Sequence, residues 1–194
     1  FAPNGLEFLA EEELVEIVPK ISFMTVQLLS GPVGPFEPLV PTMVPLWFAL
    51  QLRQRQMATI QLPDWLQETE LKELKEEEEH HRETNYMTPV QFHYQEIATL
   101  LLRHSPDSFS GVDGQAKIDM KDVEEMREAK LHESLHEMQG YHGTTKIPNI
   151  SAMEINRIRP FILNSIHRFR DLKDADDSFS GAQSQSYDSQ NRSL

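Results

Sequence analysis

Apolar residues recur at two different spacings along this chain. In the first sixty positions they tend to alternate, and beyond them they return every three or four residues. Leu6 to Glu13 reads as a short helical stretch with Leu6, Leu9 and Ala10 on one side. Leu14 to Val18 reads as a strand stopped by Pro19, and Met24 to Leu28 alternates as the next. Ser30 to Pro41 holds Gly31, Pro32, Gly34, Pro35, Pro38 and Pro41, a density that predicts an ordered loop without regular structure. Thr42 to Val44 is a third short strand. The stretch from Val44 to Trp65 organises the rest. Pro45 suits a first helical turn, where its missing N–H costs nothing. Leu46-Trp47-Phe48-Ala49-Leu50 is apolar on every side, which predicts a turn buried all round. Gln51 to Gln56 is polar, with Arg53 and Arg55 near the C-terminal end, where cations are favoured. Thr59 to Leu62 alternates as a strand.

From Asp64 the spacing is helical. Asp64 is an N-cap for an acidic helix from Trp65 to about Thr84. Glu76 to Glu79 near its end oppose the helix dipole, so that end frays or meets a basic partner. Thr88, Pro89 and Gln91 spell a capping box, with Met87 and Phe92 as its staple. They predict a second helix whose core face is Val90, Tyr94, Ile97, Leu100 and Leu101, ending at Ser105-Pro106. Gln115 to Gln139 is a third, with Val123, Leu131, Leu135 and Met138 as its stripe and Gly140 as its stop. Ser151 and Glu154 form another capping box, with an Ile150/Ile155 staple. Pro160 should break or kink that helix near Arg159, and a second segment can restart there with Pro160 at N1 and Ile162, Ile166 and Phe169 as its apolar face. From Asp171 the chain is too rich in Ser, Gln, Asp and Gly to order itself. The expected fold is mainly α. A small β-rich (α+β) domain, residues 1–62, precedes a helical bundle, 63–172, and a flexible tail, 173–194.

Composition narrows the function. The 194 residues include 39% hydrophobic and 25% charged side chains, no cysteine, and a net charge of -13. The absence of cysteine removes disulfides, thiolate metal sites and Cys nucleophiles, and fits a reducing compartment. The acidity argues against a free-standing DNA binder, which needs a basic face. No apolar run approaches the ~18 residues of a membrane span.

One motif could carry chemistry. His132-Glu133-Ser134-Leu135-His136 matches the zinc-hydrolase pattern H-E-x-x-H on a predicted helix, and His142 stands where a third ligand would fall. Against a zinc hydrolase, the turning glycine is Gly140 where the longer pattern needs it at position 139, occupied by Gln139. The preceding segments are also helical where that class needs a strand. The expectation is therefore no catalytic residue, no metal and no cofactor, with His132, His136 and His142 as decoys. His80-His81 beside four Glu could hold a metal loosely but reads better as an exposed charged helix end, and Asp107 to Asp119 has the residue types of a calcium loop without its spacing or closing Glu. No P-loop, dinucleotide fingerprint or nucleophile elbow is present. Arg53 and Arg55, or Arg157 and Arg159, flank apolar stretches and suit ion pairs at an interface with another protein.

Val44-Pro-Leu-Trp-Phe-Ala-Leu-Gln-Leu-Arg-Gln-Arg-Gln56, then a strand and Leu62-Pro-Asp-Trp-Leu66, resembles the PSF-two subunits of the GINS complex, a eukaryotic replication factor. The resemblance begins at Leu6-Glu-Phe-Leu-Ala-Glu11, passes through Gly34-Pro-Phe36, and resumes over Ile150 to Phe161. It covers most of the chain to Leu172. It implies a non-catalytic scaffold in the nucleus: one of four related subunits, with the β-rich domain first, binding three sisters, the MCM ring and the Cdc-forty-five factor. DNA is met only through the assembly, and no membrane is involved. On this resemblance Trp47, Phe48 and Trp65 anchor the two domains or a sister subunit.

Overall fold

A computed structural model describes residues 3–84, 86–109, 114–138, 147–168 and 170. By contacts the chain divides into two compact units, residues 1–154 and 155–194. The first unit opens with α1 (Pro3–Ala10), β1 (Leu14–Pro19), a β2–β3 hairpin (Val26–Leu28, Gly31–Val33) and β4 (Thr42–Pro45). Then come α2 (Leu46–Gln54), β5 (Ala58–Ile60), α3 (Glu68–His80), α4 (Tyr94–His104) and α5 (Gln115–Met138). A last helix, α6, runs over residues 152–168 and carries the chain into the second unit. The fold is mainly helical, with small antiparallel sheets confined to the N-terminal region.

β1 is the central strand of the three-stranded sheet, between β4 and β5 and antiparallel to both, with Ile17 opposite Thr42 on one side and Ile60 on the other. Its alternation turns Val15 and Ile17 inward, as period two requires. α2 packs beside this sheet. Its first two backbone N–H groups, which no helix can satisfy internally, donate instead to carbonyls just after α1. Leu46 N reaches Glu13 O at 2.8 Å and Trp47 N reaches Glu11 O at 2.9 Å. One apolar core runs from Ala10, Ile17, Leu46 and Ala49 to Leu66, Leu71, Tyr94 and Leu101, so sheet and helices share it.

Several expectations are corrected. Residues 30–41 are not free of regular structure, because Gly31–Val33 pairs with β2 and Phe23 bridges Phe36. Pro32 is tolerated there because β3 is an edge strand. Gly34, at φ +106, lies so close to Phe36 that a Cβ would stand 2.8 Å from the ring. Trp65 does not open a long helix. It sits in a separate 3₁₀ turn, Asp64–Leu66, and the extended Gln67 divides this turn from α3. The capping box at Thr88 does not start a helix, since α4 begins six residues later at Tyr94. α6 continues through Pro160 without interruption. The box at Ser151 forms as expected: Ser151 N donates to Glu154 Oε2 at 2.8 Å, and Glu154 N donates to Ser151 Oγ at 3.4 Å. The Met138, Gly140 and Phe169 side chains and the tail lie outside what the structure describes.

Candidate functional site

α2 begins at Pro45 and presents successive apolar residues around its whole circumference. Only part of that circumference meets the core. Leu46 and Ala49 are fully buried, while Trp47, Phe48 and Leu50 are half-buried. The turn is therefore not buried all round: the sheet covers one side of a nine-residue helix and leaves the other open. Phe48 turns toward the hairpin, with its ring centroid 6.2 Å from that of Phe36. Trp47 stands edge-on to Phe48, at 5.5 Å, and lines an open cleft of about 940 Å³ between α1 and α2. Phe8 and Leu50 complete the apolar floor of that cleft. Glu11 and Glu12 lie on its wall, as do Arg53 and His104. Phe8 is 67% exposed, an aromatic ring left to water within this depression.

Arg53 Nη2 holds Asp107 Oδ2 at 2.6 Å and so ties α2 to the turn after α4. Ser108 Oγ reinforces this tie by donating to Ile60 O at 3.0 Å. Arg55 is exposed at the C-terminal end of α2. Trp65 is half-buried, away from the Trp47 cleft, on a groove beside α3. Arg157 and Arg159 are exposed on α6 in the second unit. The structure thus brings Trp47 and Arg53 to one cleft and leaves the other candidates elsewhere.

The zinc-like motif is not assembled as a centre. His132, Glu133 and His136 are all exposed on α5, and His132 Nε2 lies 3.9 Å from Glu128 Oε1 on its own helix. Leu131 and Leu135 face inward, as the stripe predicts. His142 lies outside the described residues. Among the described residues, no three His, Asp or Glu side chains are grouped to hold a metal ion.

The acidic end of α3 does meet basic partners, but the buried network they form was not anticipated. Glu78, one of the four consecutive glutamates in α3, is fully buried, as is Arg127 of α5. Arg127 Nη1 donates to Glu78 Oε1 at 2.6 Å and to Thr88 O at 2.9 Å. Its Nε and Nη2 grip both oxygens of Glu154, at 2.7 and 3.1 Å, and Nη2 also reaches Asn149 O at 2.7 Å. Lys130 closes on the second oxygen of Glu78. Thr88 N donates to Glu78 Oε1 at 3.0 Å. One guanidinium thereby ties α3, the segment before α4, α5 and the start of α6. Burial alone would lower the Arg127 pKa, but the hydrogen bond and charge of Glu154 outweigh it and hold the group above its usual range. Burial likewise favours a protonated Glu154, yet Arg127 and the Ser151 amide keep its carboxyl below the ordinary value. Burial, and then the Glu154 charge, push the Tyr94 phenol well above its usual range. The network fixes the helices that flank the Trp65 groove, whose lining includes Thr88 and Tyr94.

Comparison with known families decides the identity. Residues 2–61 match the family model described as the PSF2 N-terminal domain, and residues 65–172 match the GINS complex protein helical bundle domain. The chain belongs to the PSF2 family of GINS complex subunits. The DNA replication complex GINS protein PSF2 of Xenopus laevis is 34% identical over 185 residues, covering 95% of this chain and 98% of the relative. The human protein of the same name is 34% identical over 172 residues, covering 87% and 90%. A probable PSF2 of Drosophila melanogaster is 34% identical, covering 84% and 80%. The matched relatives are named as replication-complex subunits rather than enzymes, and nothing among them supports the zinc-hydrolase alternative. No described helix is long and apolar enough to cross a membrane.

Proposed function

We propose that this PSF2-family chain is a scaffold subunit of a heterotetrameric GINS complex, joined to three sister subunits. On this reading the tetramer acts in the nucleus with the MCM ring and the Cdc-forty-five factor as an accessory of the replicative helicase. The chain itself supplies binding surfaces and no unwinding chemistry, and it meets DNA only through the assembly. The observation that carries this is the match of both family domains, in order, across nearly the whole chain. The functional division follows the same order: residues 1–62, 63–172 and a tail from 173. The half-buried Trp47 and exposed Phe8 support the reading, because an apolar cleft bordered by charge is the anatomy of a protein contact. We assign the partner contacts to Trp47 and Phe48 with Arg53 and Arg55, to Trp65, and to Arg157 and Arg159. Affinity purification of the tagged chain tests the proposal. Three sister subunits should co-purify in stable association, and their absence from a gentle, low-salt purification would overturn it.

A further inference from the structure

Trp65 borders two neighbouring grooves. One, of about 410 Å³, runs beside α3 to Thr88 and Val90. The other, of about 490 Å³, runs along β1 past Leu14 and Met43. Trp65 and Gln91 line both. The floor is apolar: Trp65, Leu74 and Val90 are half-buried, and Leu14 and Met43 are 60% and 53% exposed. The walls are acidic on both sides. Glu70, Glu73 and Glu77 project from one face of α3, and Glu12, Glu13, Glu16 and Asp64 lie along the second groove. Among the described residues, no lysine, arginine or histidine lines either groove. The carboxylates of the buried network have their cations, but these seven share their grooves with none.

Resting on the assignment of Trp65 to a partner contact, we propose that the groove across it docks an extended, positively charged peptide segment of a partner protein outside the subunit assembly. An apolar side chain of that segment packs on Trp65, and lysines or arginines on either side face the carboxylates. Apolar contact supplies affinity, while the charge sets orientation and speeds the encounter. An extended segment of about eight residues, ~25 Å long, is of the right scale for two adjoining grooves. The Trp47 cleft, with Arg53 and His104 on its wall, has no such single sign of charge.

The test uses the full chain as purified, in the assembly it forms, and follows a dye-labelled peptide by fluorescence anisotropy. The probe is a synthetic peptide of about eight residues alternating lysine with leucine, and its control replaces lysine with glutamate. The lysine peptide should bind saturably, and the glutamate peptide should not. Glu70→Gln, Glu73→Gln and Glu77→Gln together should weaken binding by about tenfold or more, which is at least ~1.4 kcal/mol. Glu37→Gln, Glu125→Gln and Glu133→Gln remove the same charge from exposed positions elsewhere and should leave binding unchanged. Equal losses in the two triple variants would show diffuse attraction to an acidic protein and overturn the proposal, as would the absence of saturable binding by the lysine peptide.

Discussion

Arg127 and Glu78 are joined at 2.6 Å with neither side chain exposed to solvent at all. They are 49 residues apart on different helices. A buried ion pair gains little over apolar packing of the same shape, but removing one member strands the other charge without water. Glu78→Ala or Arg127→Ala should therefore cost about 3–5 kcal/mol of unfolding free energy. Urea titration followed by circular dichroism measures this. Losses no larger than those of the exposed Glu77→Ala would show that water reaches the pair.

Trp47→Ala separates folding from assembly. The ring is half-buried in an open cleft, so its truncation should cost about 1–3 kcal/mol, below the ~3–5 of a wholly buried aromatic. The variant should fold, with the helical circular dichroism of wild type, and should lose partner binding. Unfolding of the variant in isolation would place the ring in the core instead.

Acid should weaken the buried network with a definite sign. The Glu154 carboxyl is held below the usual glutamate value of 4.5, so its contribution is fully present above that pH. Stability is lost as pH falls below 4.5 and through the lowered value of the folded state. Melting temperatures recorded from pH 7 downward should therefore fall in that acid window, and Glu154→Gln should flatten the fall there. An unaltered acid slope in Glu154→Gln would assign the pH dependence to other carboxylates.

Metal analysis checks the decoy motif. His132 and His136 are exposed, and Glu133 faces water beside them. Protein purified without chelator or histidine tag should hold no stoichiometric zinc, and Glu133→Gln should leave assembly intact. One tightly held zinc per chain, lost in His136→Ala, would contradict this.

The legible parts of the fold are those fixed by neighbours in sequence. The Ser151–Glu154 box forms because both partners lie within one turn. β1 and the inward faces of α4 and α5 follow from spacing alone. The box at Thr88 has the same letters and fails, because distant side chains claim its backbone: Glu78 takes the N–H and Arg127 the carbonyl. Glu78 itself is indistinguishable in sequence from Glu76, Glu77 and Glu79, and only tertiary packing selects it for burial. One local signal was available. Arg127 lies four residues from both Val123 and Leu131, on the buried stripe of α5, where an arginine demands an acidic partner. The Trp47 cleft was half legible: the composition of α2 marked it as apolar, but nothing local said which side the sheet would leave uncovered.

The scaffold assignment is tested most directly by native mass spectrometry of the chain co-expressed with its three sister subunits. The account predicts one dominant species containing a single copy of each subunit, with Trp47→Ala shifting mass toward incomplete assemblies. A chain that remains monomeric beside a sister complex lacking it would contradict the account.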